Sequence, residues 1–396
     1  MKTEIGIDKI GFATPEFYLD LADLAAARQV DPAKYRIGIG QDEMAVLPAD
    51  QDVVTLAAAA ADQILTASER ATIDLIIFAT ESGVDQSKAA ALYVQRLLGL
   101  NTAARALELK EACYGATAGL QLAYDHLLAH PDSQRVLVLG ADEARYGLGT
   151  AGEVTQGAGA IALLVTRQPR ILVLEQPTAY HSEDVMDFWR PNYRREALAD
   201  GKFSTEQYLR FLKLTWADYQ QKTQRHLNDL TAVIFHIPFT KLGLKGLRQL
   251  TASAPNDLQT RLLTHFQQAT ILNRRVGNLY TGSLYLSLYS LLLFAELPAG
   301  ARIGLYSYGS GAVAEFFSGR LVPGYAAQLP PAPEVSAVLD QRQRLSVADY
   351  ETMFAQQLTT DGSTAATPSQ SVNAPFRLSG ISAHQRRYQK NGGQNQ

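Results

Sequence analysis

A-C-Y-G-A-T-A-G-L-Q-L-A-Y (Ala112–Tyr124) and G-N-L-Y-T-G-S-L-Y-L-S-L-Y (Gly277–Tyr289) are two spellings of one local pattern: a strand end, a thiol or an amide, then a helix of small and apolar residues. The correspondence extends to both sides. I-D-L-I-I-F-A-T-E-S (Ile73–Ser82) precedes the first copy as T-A-V-I-F-H-I-P-F (Thr231–Phe239) precedes the second. R-V-L-V-L-G-A-D (Arg135–Asp142) and G-A-G-A-I-A-L-L-V (Gly157–Val165) follow the first; R-I-G-L-Y-S-Y-G (Arg302–Gly309) and G-S-G-A-V-A-E-F-F (Gly309–Phe317) follow the second. A length of 396 residues alone suggests two or three domains. The repeat replaces that with two similar halves, 1–168 and 169–396, meeting along a pseudo-two-fold seam.

Short apolar runs ending in Gly, Ser or Asp alternate with longer helical patterns, the signature of an α/β fold. Strands are expected at Ile5–Ala13, Ile73–Thr80, Val136–Ala141, Ala160–Thr166, Ile171–Glu175, Ala232–Ile237, Ile303–Tyr308 and Ala312–Phe317. Helices are expected at Leu56–Leu65, Lys88–Leu98, Tyr114–Ala129, Thr205–Leu227, Leu258–Gln268 and Gly282–Phe294. Beyond Gly324 the pattern weakens. Pro330–Pro333 and Thr359–Ala374 read as loop or mobile linker, Asn391–Gln396 as a disordered tail, and Ser346–Gln357 as one more helix.

Residues that end equivalent strands and start equivalent helices converge on the seam: Glu81 and Cys113 from the first half, His236, Asn278 and Ser310 from the second. Ligands of α/β sheets bind at the carboxyl ends of strands. A carboxylate, a thiol, an imidazole and an amide brought together there form a candidate reaction site. Cys113 is the only cysteine, so it forms no intramolecular disulfide and no cysteine cage. By itself it reads as a small buried hydrophobe. At a helix N-terminus, however, unpaired N–H groups and the helix dipole favour a thiolate, which predicts a lowered thiol pKa and a place for an oxyanion.

A net charge of -3 without long single-sign runs argues against nucleic-acid binding. No apolar run is long enough to span a bilayer and no signal peptide precedes the first strand pattern, so a cytoplasmic protein is expected, in keeping with its unpaired cysteine. G-L-G-T-A-G (Gly147–Gly152) has the dinucleotide-binding spelling but runs into another strand instead of a helix, so no cofactor is assigned to it. His126 and His130 share a helical face without the partners of a metal motif, and no metal site is expected.

At this point a resemblance enters. G-I-G-Q (Gly38–Gln41), A-T-E-S-G (Ala79–Gly83), E-A-C-Y-G-A-T (Glu111–Thr117), T-Q-G-A-G-A (Thr155–Ala160), D-F-W-R-P (Asp187–Pro191), F-H-I-P-F-T-K (Phe235–Lys241), G-N-L-Y-T-G-S (Gly277–Ser283), Y-G-S-G (Tyr308–Gly311) and F-R-L-S-G-I (Phe376–Ile381) cover almost the whole chain in order. Together they resemble the 3-hydroxy-3-methylglutaryl-CoA synthases of the bacterial mevalonate type, within the thiolase-like superfamily. The resemblance implies a thiolase-like fold with layers αβαβα. It also implies an acyltransferase that joins acetyl-CoA to acetoacetyl-CoA for isoprenoid biosynthesis, with CoA thioesters as substrates and no cofactor.

By the same resemblance Cys113 carries the acetyl group, Glu81 is the general base and His236 positions acetoacetyl-CoA. The N–H groups of Cys113 and Ser310 would form the oxyanion hole, and Asn278 would bond the second substrate's carbonyl region. Lys241 and Lys245 match lysines that bind CoA; with Arg248 they fall on one helical face if Gly243 and Gly246 permit a helix, though such a run also reads as a solvated face. Asp187 matches a residue near the site. Asp184 beside it is an ordinary loop carboxylate, and Tyr208 either contacts substrate or packs. The superfamily's habit implies a homodimer. Two other readings stand beside this one: a ketoacyl-synthase-III-like enzyme using Cys113, His236 and Asn278, which needs no base, and a non-catalytic scaffold, which needs none of the three groups. Glu81 separates the first from the synthase; a thiolase is disfavoured because it requires a second cysteine.

Overall fold

The computed structural model describes residues 4–391. Nine strands join in one hydrogen-bonded sheet: β1 (Ile5–Ala13), β2 (Ile73–Ala79), β3 (Arg105–Leu109), β4 (Arg135–Ala144), β5 (Gly157–Arg167), β6 (Leu172–Ser182), β7 (Ala232–Phe235), β8 (Arg302–Gly309) and β9 (Val313–Leu321). Their order is β7-β8-β9-β6-β1-β5-β4-β2-β3. Outward from the β1–β6 junction, each side repeats the same pairings. An antiparallel neighbour comes first (β5 beside β1, β9 beside β6), then a second antiparallel one (β4, β8), then a parallel one (β2, β7). The repeat in sequence is a repeat in topology, and only β3 has no counterpart in this sheet.

Seven helices pack on the strands: α1 (Val53–Asp62), α2 (Ala90–Leu98), α3 (Gly115–Ala129), α4 (Gly201–Thr223), α5 (Thr240–Thr251), α6 (Asn256–Ala269) and α7 (Ser283–Phe294). Side-chain alternation along each strand assigns them to layers. Ile77 and Val138 of the first half share one core with Ile234 and Leu305 of the second, and α3 and α7 lie in that core. Ile76, Phe78 and Leu137 point the other way, against α1 and α2. Val233, Phe235 and Phe316 likewise point away, against α4, α5 and α6. The sheet therefore folds over a central helix pair, giving the layers helix, sheet, helix, sheet, helix. The fold takes place where pairing is thinnest: at the junction only Gly6–Val173 and Ile7–Leu172 face each other.

This burial explains the sequence pattern. Strands covered on both faces read as unbroken apolar runs. In α7 every residue from Ser283 to Leu292 is buried, so it shows no polar stripe; each leucine in that stretch contributes roughly 1.5–3 kcal/mol by leaving water.

The C-terminal region departs from expectation. Pro331 and Pro333 do not mark a loop but start a helix, Ala332–Asp340, where proline's missing N–H costs nothing. Thr359–Ala374 is irregular apart from a two-residue strand, Ala365–Ala366, that pairs with Ile381 and Gly380, and it is not a free linker. Asp50 accepts from the N–H groups of Gln370 and Ser371, and Glu16 from those of Val372 and Asn373. The expected helix is present as Val347–Ala355, and a hairpin follows it, Phe376–Ser382 with Gln385–Lys390. Of the expected tail, Asn391 donates its N–H to the Pro375 carbonyl, and 392–396 lie outside the described residues.

Candidate active site

Between β3 and α3 the chain turns through Ala112, whose φ of 39° lies in the left-handed region that alanine seldom occupies. That turn lifts Cys113 off the strand end and leaves it two residues before the first residue of α3. Backbone strain of this kind, about 1–3 kcal/mol, persists where surrounding structure fixes it, and sharp strand-to-helix turns present nucleophiles in other folds. The Cys113 thiol donates to Glu81 Oε1 at 3.2 Å. Both side chains are half-buried.

Glu81 is held by a residue that sequence reading did not single out. Asp142, at the end of β4, is fully buried. Its Oδ1 accepts from Glu81 N–H (2.8 Å), Ser82 N–H (3.0 Å), Ser82 Oγ (2.8 Å) and Thr80 Oγ1 (2.9 Å). Its Oδ2 accepts from Thr281 N–H (3.1 Å) and Thr281 Oγ1 (2.7 Å) in the other half. One carboxylate thus ties the Glu81 loop to the start of α7. Its position at a strand end in a repeated segment was the available signal.

Electrostatics follow from this arrangement. Burial, and then the charge of Asp142, push the Glu81 carboxyl up to about 8; the Cys113 hydrogen bond and the Arg190 charge pull it down. The Cys113 thiol is pushed well above its ordinary value, first by burial and then by Glu81. The expected lowering by the helix N-terminus is therefore overturned: desolvation and a facing carboxylate outweigh the dipole of a helix that begins two residues later.

From the second half, His236 is 3% exposed and its Nδ1 has no hydrogen-bond partner. Burial lowers its pKa to about 3, so the imidazole is neutral. Its backbone is fixed: His236 N–H donates to the Tyr306 carbonyl (2.7 Å), and Tyr208 Oη donates to the His236 carbonyl (2.9 Å). Tyr208 itself is buried, with this bond as its contribution to the site. Asn278 is fully buried; its Oδ1 accepts from Tyr280 N–H (2.9 Å) and Ser283 Oγ (3.0 Å), while Nδ2 is unpartnered.

Ser310 sits half-buried in the turn between β8 and β9. A side chain at Gly309 would lie 2.7 Å from Glu111 O and Tyr114 N, which places this turn directly on the Cys113 turn. Asp187 is fully buried and accepts from Tyr308 Oη (2.9 Å), Gly311 N–H (3.0 Å) and Ser204 Oγ (3.0 Å), so it braces the Ser310 turn. Phe188, Tyr146 and Tyr280 form an aromatic triangle with centroids 5.7–6.2 Å apart. Cys113 and Glu81 both act on the Tyr146 hydroxyl, which places this triangle beside them. The aromatics and Arg190, which donates to the Glu81 carbonyl, were not picked out from sequence.

Lys241, Lys245 and Arg248 do share a helix: Gly243 and Gly246 let α5 pack closely, since a side chain there would come within 2.4 Å of Ile237 and 3.2 Å of Leu212. Lys241 is half-buried, and Lys245 and Arg248 are exposed. Gly147–Gly152 leads into only a three-residue 3-10 turn, Glu153–Thr155, ahead of β5, and Glu153 accepts the Gly149 N–H (3.0 Å). His126 and His130 stack at 4.4 Å. Among the described residues no cluster of three or more metal-ligating side chains occurs, and no helix is long and apolar enough to cross a membrane.

Comparison with known proteins agrees along the whole chain. Residues 1–169 match the model of the hydroxymethylglutaryl-coenzyme A synthase N-terminal region, and residues 172–264 and 256–388 match that of its C-terminal region. The chain is 51% identical over 358 residues to a hydroxymethylglutaryl-CoA synthase of Enterococcus faecalis, covering 90% of this chain and 93% of that one. A crystal structure of HMG-CoA synthase complexed with CoA superposes with a TM-score of 0.95 at 48% identity, covering 98% and 100% of the two chains. MvaS in complex with 3-hydroxy-3-methylglutaryl coenzyme A superposes with a TM-score of 0.88 at 38% identity, again over 98% and 100%. A thiolase-like fold, a cysteine turn facing a carboxylate and this end-to-end similarity lead to one assignment: the chain belongs to the hydroxymethylglutaryl-CoA synthase family of acyl-transferring condensing enzymes.

Proposed function

We propose that this protein condenses acetyl-CoA with acetoacetyl-CoA and water to 3-hydroxy-3-methylglutaryl-CoA and CoA, as the carbon-joining step of a mevalonate pathway. The observation that carries the reading is the Cys113–Glu81 pair at 3.2 Å, a nucleophile and a base that reach the same small volume. Cys113 sulfur adds to the acetyl-CoA carbonyl and CoA leaves with the thiol proton, producing acetyl-Cys113. Glu81 then removes a proton from the acetyl methyl group. A methyl beside a thioester is a weak acid, so a desolvated base with a raised pKa suits the transfer.

The N–H groups of Cys113 and Ser310 stabilise the thioester oxyanion, a role worth about 3 kcal/mol per donor in other enzymes. The carbanion adds to the ketone carbon of acetoacetyl-CoA. His236, neutral and with Nδ1 free, and Asn278, with Nδ2 free, hold that second substrate by hydrogen bonds and not by charge. The new alkoxide takes up a proton, and water cleaves the bond to Cys113, releasing product and thiol. No cofactor takes part in this scheme.

Asp187 and Tyr208 act by bracing the Ser310 turn and the His236 backbone. Lys241 and Lys245 meet the CoA phosphates. Two halves, 1–168 and 169–396, are the units of this reading, consistent with the mirrored strand order. A cytoplasmic homodimer completes it; β3, an edge strand beyond which the sheet has no further partner among the described residues, offers a surface for a second copy. The test is direct. Intact mass after incubation with acetyl-CoA should show one acetyl group on Cys113, and acetoacetyl-CoA should then be consumed. Absence of acetylation defeats the covalent mechanism; acetylation without condensation defeats the synthase reading.

A further inference from the structure

Residues of D-F-W-R (Asp187–Arg190) contact the site from end to end. Asp187 braces the Ser310 turn through Tyr308 and Gly311. Phe188 packs edge-on against Tyr146 and Tyr280. Arg190 Nη2 donates to the carbonyl of Glu81. The segment is not a free loop, because Phe188 and Trp189 pair as a strand with Ala199 and Leu198. A short hairpin therefore reaches from the second half's turn to the first half's base and ends there in a guanidinium.

The charged and titratable groups around Glu81 come from four elements. Asp142 lies at the end of β4, Glu111 and Cys113 in the cysteine turn, Tyr146 after β4 and Tyr280 before α7. Each is neutral or negative. Arg190 is the cation whose charge acts on Glu81; Lys88, Lys110, Arg194 and Arg195 also line the cavity that Glu81 and Arg190 share. Arg145, in the wall of the same cavity of about 800 Å³, pairs with Glu143 at 2.7 Å.

We propose that Arg190 is the positioning residue of the proton-transfer step: it fixes the Glu81 main chain and supplies the positive charge that keeps the carboxylate ionised before it takes the methyl proton. The proposal rests on Glu81 being the base. Its charge opposes burial and Asp142, both of which favour the protonated acid. Replacing it with a neutral side chain must raise the pH at which Glu81 becomes competent.

The test is the pH dependence of deuterium uptake from D2O into the methyl group of acetyl-Cys113, read by mass spectrometry for wild type, Arg190→Gln, Arg190→Lys and Glu81→Ala. For Arg190→Gln the midpoint should rise by about one pH unit. Arg190→Lys, which keeps the charge, should hold the wild-type midpoint with a lower plateau. Uniform loss at every pH in Arg190→Gln, or a midpoint in Arg190→Lys that moves as far as in the glutamine variant, overturns the proposal. Acetylation of Cys113 by intact mass certifies each variant as folded, and Arg190→Met replaces Arg190→Gln if that variant fails. Undiminished exchange in Glu81→Ala would instead defeat the reading of Glu81 as base, whatever Arg190 does.

Discussion

The Cys113 thiol donates a hydrogen bond to Glu81 Oε1 across 3.2 Å. Neither group titrates alone, since the charge on either one opposes ionisation of the other, and burial opposes both. The resting site is thus a thiol facing a carboxyl group, without a stored thiolate. In the proposed reaction, acetylation would replace the thiol with an acetyl thioester within reach of Glu81. One carboxyl can therefore be a spectator to the first step and the base of the second.

Glu81→Ala should separate these steps. Cys113 still acquires its acetyl group, because departing CoA carries away the thiol proton, but condensation falls by roughly 10²–10⁴, the range for loss of a general base. Intact mass measures the first and loss of acetoacetyl-CoA the second. A variant that condenses at a tenth of the wild-type rate would contradict the role given to Glu81.

Much of this arrangement is legible in the amino-acid sequence. Cys113, Asn278 and the strands around them repeat, and a repeated strand end marks a seam. Glu81 and His236 are visible because they follow apolar runs. Asp142 shares that position, yet its function lies in hydrogen bonds to Thr281, a residue 139 positions away, and no local pattern records such a contact. Arg190 is hidden for the same reason, its partner being 109 positions distant. The direction of the thiol pKa is not legible, because the helix terminus shows in sequence whereas desolvation is a property of the packed site. Prolines near residue 331 suggest a loop because a helix start and a turn use the same residue.

Asp142→Asn should move the pH midpoint of condensation downward, the opposite direction from Arg190→Gln. Loss of the buried negative charge removes one cause of the raised Glu81 pKa. An amide has one acceptor oxygen for the donors that Asp142 now serves, so the plateau rate and stability also fall. Each buried donor left unpaired costs about 1–3 kcal/mol. Measuring the single-turnover rate against pH, alongside urea unfolding, tests both; an unchanged or raised midpoint would refute the charge argument.

Lys241→Ala should raise KM for CoA thioesters by about tenfold and leave kcat nearly unchanged, as expected when a contact serves ground state and transition state equally. The wild-type KM should itself rise with salt, and the variant's should rise less. A fall in kcat with constant KM would place Lys241 in the chemistry and not at the phosphates.

His236 gives the site a stability signature that activity assays miss. Its folded pKa of about 3 lies below the ordinary value of 6.5, so as pH falls from 6.5 toward 3 the unfolded chain binds a proton that the folded chain refuses. Stability is lost over that window at up to about 1.4 kcal/mol per pH unit. Glu81 has the reverse sign: its folded pKa of about 8 exceeds the ordinary 4.5, so its contribution is full below 4.5 and is lost as pH rises toward 8. Between 4.5 and 6.5 the two slopes oppose each other in the wild type. His236→Asn does not titrate, so its unfolding free energy relative to wild type should improve steadily as pH drops from 6.5 to 4.5. Urea titrations at several pH values read this difference, and parallel curves for the two proteins would show that His236 is not held neutral in the folded site.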